Sequence, residues 1–249
     1  MSDGGGAREG MGAPPALAVV IPAFRAAAAL PGVLERVRGA APGAAVVVVD
    51  DGSDDQTACA AAAGGALVVR HPRNLGKGRS LASGLGAAVV LGARAVVTMD
   101  ADGQHPPEAI PVLVRALAEG SWDLVVGCRE RGAGMPAGRQ VTNWLSSALV
   151  SRAVGFRVPD SQSGFRAMRR EVAAAVRPAG ARYEFETEFL FLAARLGFQV
   201  GAVTIPTVYD GAPSYFRYGA DTLAVAGVFL RHWRRVLLGP AGAPEGEGR

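Results

Sequence analysis

Short runs of β-branched residues alternate with helical patterns through the first half of the chain. The patterns that predict strands cover residues 17–22, 45–50, 67–70, 95–99 and 123–128. Those that predict helices cover residues 26–38, a stretch from about residue 54, residues 79–91 and residues 107–118. Apolar runs without polar alternation are typical of strands buried on both faces. The β-α repetition therefore predicts a right-handed, mostly parallel sheet flanked by helices.

The second half of the chain has a different pattern, with longer helical segments separated by loops rich in Gly, Ser and Arg. These segments lie near residues 138–154, 170–176, 184–196 and 221–238. We predict one α/β domain over residues 17–240, with a Rossmann-like sheet and a helical C-terminal part. The Gly/Ala/Pro-rich segments at residues 1–16 and 241–249 are predicted to be flexible tails.

Composition and charge exclude several classes of protein. The 26 basic and 22 acidic residues leave a net charge of +4, which is too small to indicate nucleic-acid binding. Cys59 and Cys128 are far apart in apolar surroundings, so a disulfide framework or zinc site is not expected and a cytoplasmic location is favoured. No apolar stretch has the length of a bilayer span, because Arg231, Arg234 and Arg235 interrupt the best candidate.

Two acidic pairs follow predicted strands. Asp50 and Asp51 end the run of four valines at 46–49, and Asp100 and Asp102 follow Met99 at the end of another apolar run. Parallel strands deliver such side chains to the carboxyl edge of the sheet, where ligands of open α/β sheets bind. Closely spaced carboxylates suit Mg²⁺ or Mn²⁺, which usually also hold substrate phosphates. The pattern therefore predicts a metal-assisted phosphate or sugar-nucleotide site.

Seven short motifs together resemble the family 2 glycosyltransferases of the GT-A fold. They lie, in chain order, at residues 17–24 (LAVVIPAF), 49–53 (VDDGS), 74–78 (NLGKG), 100–106 (DADGQHP), 127–129 (GCR), 160–166 (DSQSGFR) and 185–188 (FETE). The last three motifs resemble those of the polyprenyl-phosphate sugar transferase branch, which is typified by dolichyl-phosphate mannose synthase. The resemblance implies a nucleotide-sugar half at residues 17–128 and an acceptor half at 129–240.

The resemblance implies a donor site at the second acidic pair. Asp100, Asp102 and Gln104 would hold Mg²⁺ or Mn²⁺ and the diphosphate of a GDP- or UDP-sugar, with Ala101 between them. Lys77, in the Gly-Lys-Gly turn that opens a predicted helix, would meet the phosphates. The continuation after Asp102 does not fit the phosphatases that use an aspartyl nucleophile.

The nucleoside would lie at the ends of the first two strands. The resemblance assigns it to Asp51 and the Val49 backbone, with Pro22 and Phe24 as the wall that faces the ring. Here the sequence departs from the family pattern, because Ala26 replaces the usual Glu.

The resemblance also assigns basic and acidic residues of the second half to contacts with the donor and the acceptor. Arg129 would contact the donor or lipid phosphate, and Arg139 would contact the phosphate of the acceptor. Asp160 and Glu188 would shape the acceptor pocket, and one of them would serve as base if the acceptor were a hydroxyl. A polyprenyl phosphate is already anionic and needs no base. Direct displacement with inversion is then expected.

Residues 222–238 combine apolar positions with three arginines and Trp233, as in a basic amphipathic helix. Such a helix would place the protein peripherally on the cytoplasmic face of a membrane, although packing on the domain is an equal alternative. Three other functions stay open: a glycosyltransferase acting on a glycan hydroxyl, a catalytically silent nucleotide-sugar-binding protein, suggested by Ala26, and a nucleotidyltransferase. Histidines 71, 105 and 232 are predicted to be structural, with His105 at most supporting a residue that contacts the ligand.

Overall fold

The computed structural model describes residues 15–129, 147–152, 154–182, 184–206 and 226–231. Its strands are β1 Leu17–Ala23, β2 Ala45–Asp50, β3 Leu67–Arg70, β4 Ala95–Thr98, β5 Leu124–Arg129, β6 Arg166–Arg169 and β7 Val200–Ile205. Its helices are α1 Leu30–Ala40, α2 Thr57–Ala63, α3 Lys77–Val90, α4 Ile110–Glu119, α5 Arg170–Ala175 and α6 Glu184–Arg195. A 3₁₀ turn, Pro107–Ala109, precedes α4, and residues 147–152 and 226–231 are also helical.

All seven strands form one sheet in the order β3-β2-β1-β4-β6-β5-β7. The pairs on the β3 side are parallel, and so is the pair β5–β7. Strand β6 runs antiparallel to both of its neighbours, β4 and β5. The carboxyl ends of β1, β2 and β4 consequently meet at one edge of the sheet. The predicted mostly parallel α/β fold is confirmed.

Both faces of the sheet are covered, which explains the continuous apolar runs. In β1, Val20 packs into a cluster with Leu85 of α3, whereas Ile21 packs into the opposite cluster with Leu34 of α1. All four side chains are almost completely buried. A strand that is buried on both faces needs apolar residues at successive positions, so its sequence lacks the alternation of apolar and polar residues that marks a half-exposed strand.

The strand predictions for the first half are confirmed to within one residue, but all four helix starts are shifted. Helix α2 begins at Thr57 rather than about residue 54, and α4 begins three residues later than predicted, after the 3₁₀ turn. Helix α1 begins at Leu30 rather than residue 26, because Arg25 has a positive φ of 50° and the Ala26 amide donates to Thr57 Oγ1 at 2.8 Å. Helix α3 begins at Lys77, two residues earlier than predicted. Strands β6 and β7 were not predicted. The helices predicted at 170–176 and 184–196 are confirmed by α5 and α6.

The remaining expectations for the second half fall partly outside the described residues. Most of the helical patterns at 138–154 and 221–238 lies there, as do residues 1–14 and 241–249. Among the helices that the structure describes, none combines the length and apolar character needed to cross a bilayer.

Candidate active site

Asp100 lies directly beyond β4, at the carboxyl edge of the sheet. Its Oδ1 forms an ion pair with Lys77 Nζ at 2.7 Å, and its backbone amide donates to His105 Nδ1 at 3.2 Å. The His105 ring is buried and stacks on Phe165, with the ring centroids 5.2 Å apart. The imidazole therefore anchors the loop that carries the acidic pair, in agreement with the predicted structural role.

Lys77, the first residue of α3, joins two acidic side chains. Its Nζ also lies 2.9 Å from Glu186 Oε1, and Glu186 is buried in α6. Burial alone would lower the pKa of Lys77, but the charges of Asp100 and Glu186 outweigh it and raise that pKa above its usual value. The ammonium group is therefore charged at neutral pH. Glu186 was not among the predicted site residues.

Asp102 is exposed at the mouth of the site, and its Oδ1 accepts a hydrogen bond from the Gln104 amide at 3.0 Å. Partial desolvation of the carboxylate, followed by the negative charge of Asp100, raises the pKa of Asp102. Ala101 is buried between the two acids. Repulsion between two neighbouring carboxylates is relieved by a cation, so the acidic pair fits a divalent ion.

The described side chains alone do not complete the coordination shell of a metal ion. The described residues contain no group of three or more His, Cys, Asp or Glu side chains that could hold a metal. Asp100 and Asp102 offer hard carboxylate oxygens, and the Gln104 side chain is the third predicted ligand. Mg²⁺ and Mn²⁺ commonly complete their shells with water and substrate phosphates. The residues present therefore fit a metal that binds together with a phosphate ligand.

Asp51 organises the turn that leads into α3. Its Oδ1 accepts the Leu75 amide at 2.9 Å and its Oδ2 accepts the Gly76 amide at 2.8 Å. His71 Nδ1 lies 2.7 Å from the same Oδ1, and His71 Nε2 lies 3.0 Å from Ser83 Oγ. This chain of side chains was not predicted. It links the ends of β2 and β3 to α3, so Asp51 connects the predicted nucleoside end of the site to Lys77.

Other residues predicted for the nucleoside end lie beside Asp51. Pro22 and Val49 are register partners in the pair β1–β2, and both are buried. Phe24 follows β1 and is half-buried, with the Arg25 guanidinium 5.2 Å from its ring centroid. The structure therefore brings Pro22, Phe24, Val49 and Asp51 together at the carboxyl ends of two adjacent strands. Their role towards a nucleoside stays a prediction.

The residues predicted for the acceptor side come from several elements, and one of them lies outside the described residues. Arg129 is the last residue of β5 and pairs in register with Ile205, whereas Arg139 lies outside the described residues. Asp160 is buried, and its charge acts on the buried Arg166. Glu188 is also buried, and its Oε2 accepts the amides of residues 179 and 180 at 2.9 and 2.8 Å. The contacts of Glu188 organise a loop, and its predicted acceptor role stays untested.

Buried Arg166 holds the loop that precedes β6. Its Nε donates to Ser163 O at 2.9 Å and its Nη2 to Ser161 O at 3.1 Å. Burial, only partly offset by Glu186 and Asp160, lowers the pKa of Arg166 to about 10. The guanidinium stays charged at neutral pH, and it holds the loop before β6 rather than facing solvent.

Comparison with known proteins gives the same family as the motifs. Residues 18–177 match the family model described as glycosyl transferase family 2. The chain is 34% identical over 149 residues to a UDP-N-acetylglucosamine–dolichyl-phosphate N-acetylglucosaminyltransferase of Methanococcus voltae, covering 57% of this chain and 59% of that protein. It is 32% identical to the undecaprenyl-phosphate mannosyltransferase of Micrococcus luteus, covering 52% and 59%. The match thus spans about three fifths of the length of these curated relatives.

A solved structure extends the similarity to the fold. Glucosyl-3-phosphoglycerate synthase from Mycobacterium tuberculosis, in complex with Mn²⁺, UDP and glucosyl-3-phosphoglycerate, superimposes with a TM-score of 0.71 at 25% identity, covering 94% of this chain and 83% of that one. The predicted GT-A architecture is thereby confirmed. The family match covers well over half of the chain, so this protein belongs to glycosyl transferase family 2.

Proposed function

We propose that this chain transfers a sugar from a nucleotide-sugar donor to a polyprenyl-phosphate-type lipid acceptor, with a divalent metal and with inversion at the anomeric carbon. The observation that carries the proposal is the cluster of Asp100, Asp102 and Lys77 at the carboxyl edge of parallel strands. The relatives named for dolichyl and undecaprenyl phosphate support the acceptor class. The Mn²⁺ and UDP bound by the structural neighbour support the donor class.

The acidic pair and Lys77 would hold the donor's diphosphate. Asp100, Asp102 and Gln104 would hold a Mg²⁺ or Mn²⁺ ion, which would act as a Lewis acid towards the leaving nucleoside diphosphate. Lys77 adds a positive charge on the same side, and Asp51 keeps the preceding turn in place through the Leu75 and Gly76 amides. Charge stabilisation by groups already in position is usually the largest contribution to such a transfer.

An anionic acceptor explains why a strong base is not required. A lipid phosphate presents a charged oxygen at neutral pH, so positioning beside the donor supplies most of the rate enhancement. Arg129 and Arg139 are proposed to bind phosphate by bidentate contacts. Asp160 and Glu188 are both buried, which suits side chains that shape the pocket better than side chains that exchange protons with solvent.

Turnover tests the proposal directly. The protein is incubated with Mn²⁺, a polyprenyl phosphate and UDP- or GDP-sugars in turn, and the released nucleoside diphosphate is measured. We expect release with one donor class, lost on metal chelation and reduced at least about 100-fold by Asp102→Asn. Glu119→Gln, an exposed acid at the end of α4, is the matched control and should leave the rate unchanged.

A second candidate is a binding protein without turnover, favoured by Ala26 at the position of the usual Glu. It predicts that a nucleotide sugar raises the melting temperature in the presence of Mn²⁺ while no nucleoside diphosphate is released with any acceptor. Release of pyrophosphate would instead indicate a nucleotidyltransferase.

A lipid acceptor also places the working protein at a membrane surface, which we propose to be the cytoplasmic face.

A further inference from the structure

Lys77 differs from all other basic residues of the chain. Of its 26 lysines and arginines, 25 are arginines, and Lys77 is the one lysine. Arginine presents a rigid planar fork, whereas the lysine ammonium is compact and has three donors that rotate on a flexible stem. The single lysine occupies the position where a cation contacts two carboxylates from different elements, 2.7 Å from Asp100 and 2.9 Å from Glu186. A group that can exchange one contact while keeping another suits this position.

The ammonium group and the expected metal use the same carboxylate. Lys77 Nζ lies against Asp100 Oδ1, and a Cβ placed on Gly164 would come within 3.1 Å of both atoms. The pair therefore fills the space beside the Gly164 backbone. Two cations on one carboxylate repel each other, so Lys77 at Asp100 opposes a divalent ion there. Lys77 must yield that oxygen, or share it at a cost, before a metal binds tightly.

Glu186 provides the second contact of Lys77 and has little freedom to move. Its side chain is only 2% exposed, it lies in α6, and its Oε2 has no hydrogen-bond partner within the part of the chain that the structure describes. A buried carboxylate is costly unless a positive charge stays close. Lys77 is the cation in contact with Glu186, and Arg166 lies farther away. The contact to Glu186 is therefore the one that Lys77 keeps.

We propose that Glu186 is a positioning residue that retains Lys77 in the cleft while its ammonium group exchanges Asp100 for the donor's diphosphate. Asp100 then becomes available to the metal only when the diphosphate arrives. Metal and nucleotide therefore bind cooperatively, and Lys77 couples them. This inference rests on the proposed donor site and adds to it a reason why the metal does not occupy the site alone.

The single lysine allows a direct test on the unmodified protein. Protein labelled with ¹⁵N-lysine, from which any lysine-containing tag has been removed, gives one side-chain ammonium signal in an NMR spectrum. We expect Mg²⁺ alone, at about 5 mM, to leave the position of this signal unchanged. Mg²⁺ together with UDP or GDP should shift it. A signal that Mg²⁺ alone shifts as far, or that bound nucleotide leaves unmoved, overturns the proposal.

Mn²⁺ binding, measured from the paramagnetic resonance signal of the free ion, tests the coupling without any turnover. Lys77→Gln should bind Mn²⁺ alone about tenfold more tightly than wild type, because the competing charge has gone, and UDP or GDP should increase that affinity by a smaller factor than in wild type, since only direct ligation by the phosphates remains. Glu186→Gln should weaken the nucleotide-dependent increase in the presence of Lys77 and have little effect on it in the Lys77→Gln background. Equal effects in both backgrounds would indicate a merely structural role.

Controls separate this inference from the proposed function. Glu186→Asp should restore most of the coupling, and Glu171→Gln, an exposed acid at the start of α5, should not change it. Calorimetry on wild type shows whether UDP or GDP binds with Mn²⁺ at all. If neither binds, the proposed donor site fails and the inference fails with it. If one binds but Lys77→Gln binds Mn²⁺ no more tightly than wild type, only the inference is overturned.

Discussion

At the scale of single residues, the carboxylates of the site divide into those that face the cleft and those that hold backbone. Asp100 and Asp102 lie at the mouth, next to Lys77. Asp51 and Glu188 are buried, and each accepts two backbone amides. A buried carboxylate that satisfies backbone amides costs more to alter than an exposed one, because its loss leaves buried donors unpaired. This difference can be measured.

Asp51→Asn should lower the free energy of unfolding by about 1–3 kcal/mol, since an amide group cannot accept from both Leu75 and Gly76 through two oxygens. Chemical denaturation measures the change. Asp54→Asn is the matched control, because the Asp54 carboxylate is an exposed partner of Arg25 and should change stability little. Equal effects of both substitutions would contradict the anchoring role of Asp51.

Glu188→Gln tests whether this acid mainly holds the loop at 179–180. We expect a loss of about 1–3 kcal/mol in the free energy of unfolding and faster amide hydrogen exchange at residues 179 and 180. If the acid instead acts on the acceptor, turnover should fall, while the free energy of unfolding and the amide hydrogen exchange should stay unchanged. The two measurements therefore separate a structural role from the predicted acceptor role.

At the scale of elements, the first turn of α3 packs against the loop before α6. The Gly78 amide donates to Ala181 O at 2.8 Å, and a Cβ placed on Gly76 would come within 2.4 Å of the same oxygen. Gly76 also has a φ of 97°, which side chains other than glycine rarely adopt. This close approach brings Lys77 within reach of Glu186. The donor side and the α6 side of the site are thereby fixed to each other.

Gly76→Ala should therefore be more destabilising than backbone strain alone explains. Gly43 is a matched control, because it has a φ of 81° but no atom within 4 Å of an added Cβ. We expect about 1 kcal/mol for Gly43→Ala, from strain. For Gly76→Ala we expect at least about 2 kcal/mol more, from the clash with Ala181. Thermal and chemical denaturation give both values, and similar losses would show that the loop moves away freely.

The elements also show what the sequence could and could not predict. The runs before Asp50 and Asp100 are continuously apolar and rich in β-branched residues, so their strands and the acids beyond them were predictable. Strand β6 is as short as β4, but two of its four residues are arginines, and it forms because it fills the place between β4 and β5. Glu186 stands between two other glutamates on one helix, and no pattern distinguishes the one that reaches Lys77. Such long-range contacts depend on tertiary packing.

At the scale of the whole molecule, the helical residues 226–231 bear on membrane attachment. Val228 is completely buried, and the rings of Phe229 and Phe191 of α6 meet edge to face with centroids 5.4 Å apart. Leu230, by contrast, is 75% exposed. One face of this segment thus packs on the domain, while the side chain of Leu230 is exposed to solvent. Trp233, Arg234 and Arg235 follow Leu230 closely in the sequence and lie outside the described residues.

We predict that this outer face binds anionic membranes. Arg234→Gln with Arg235→Gln should weaken pelleting with phosphatidylserine-containing liposomes at least about tenfold, since each basic residue near such a surface contributes about 1 kcal/mol. Arg231 is left in place because its Nη2 lies 3.8 Å from Glu188 Oε1. Co-sedimentation over a range of lipid concentrations measures the change, and added salt should reduce wild-type binding.

The comparison needs a control with the same net charge. Arg94→Gln with Arg115→Gln removes two exposed arginines elsewhere on the domain, so it lowers the formal charge by the same amount. If membrane binding depended only on the overall positive charge, both double variants would lose affinity equally. If residues 226–231 and the arginines beyond them form the contact, only the first variant should lose it. Unchanged pelleting of both would show that neither pair of arginines contributes to membrane binding, which contradicts the predicted contact.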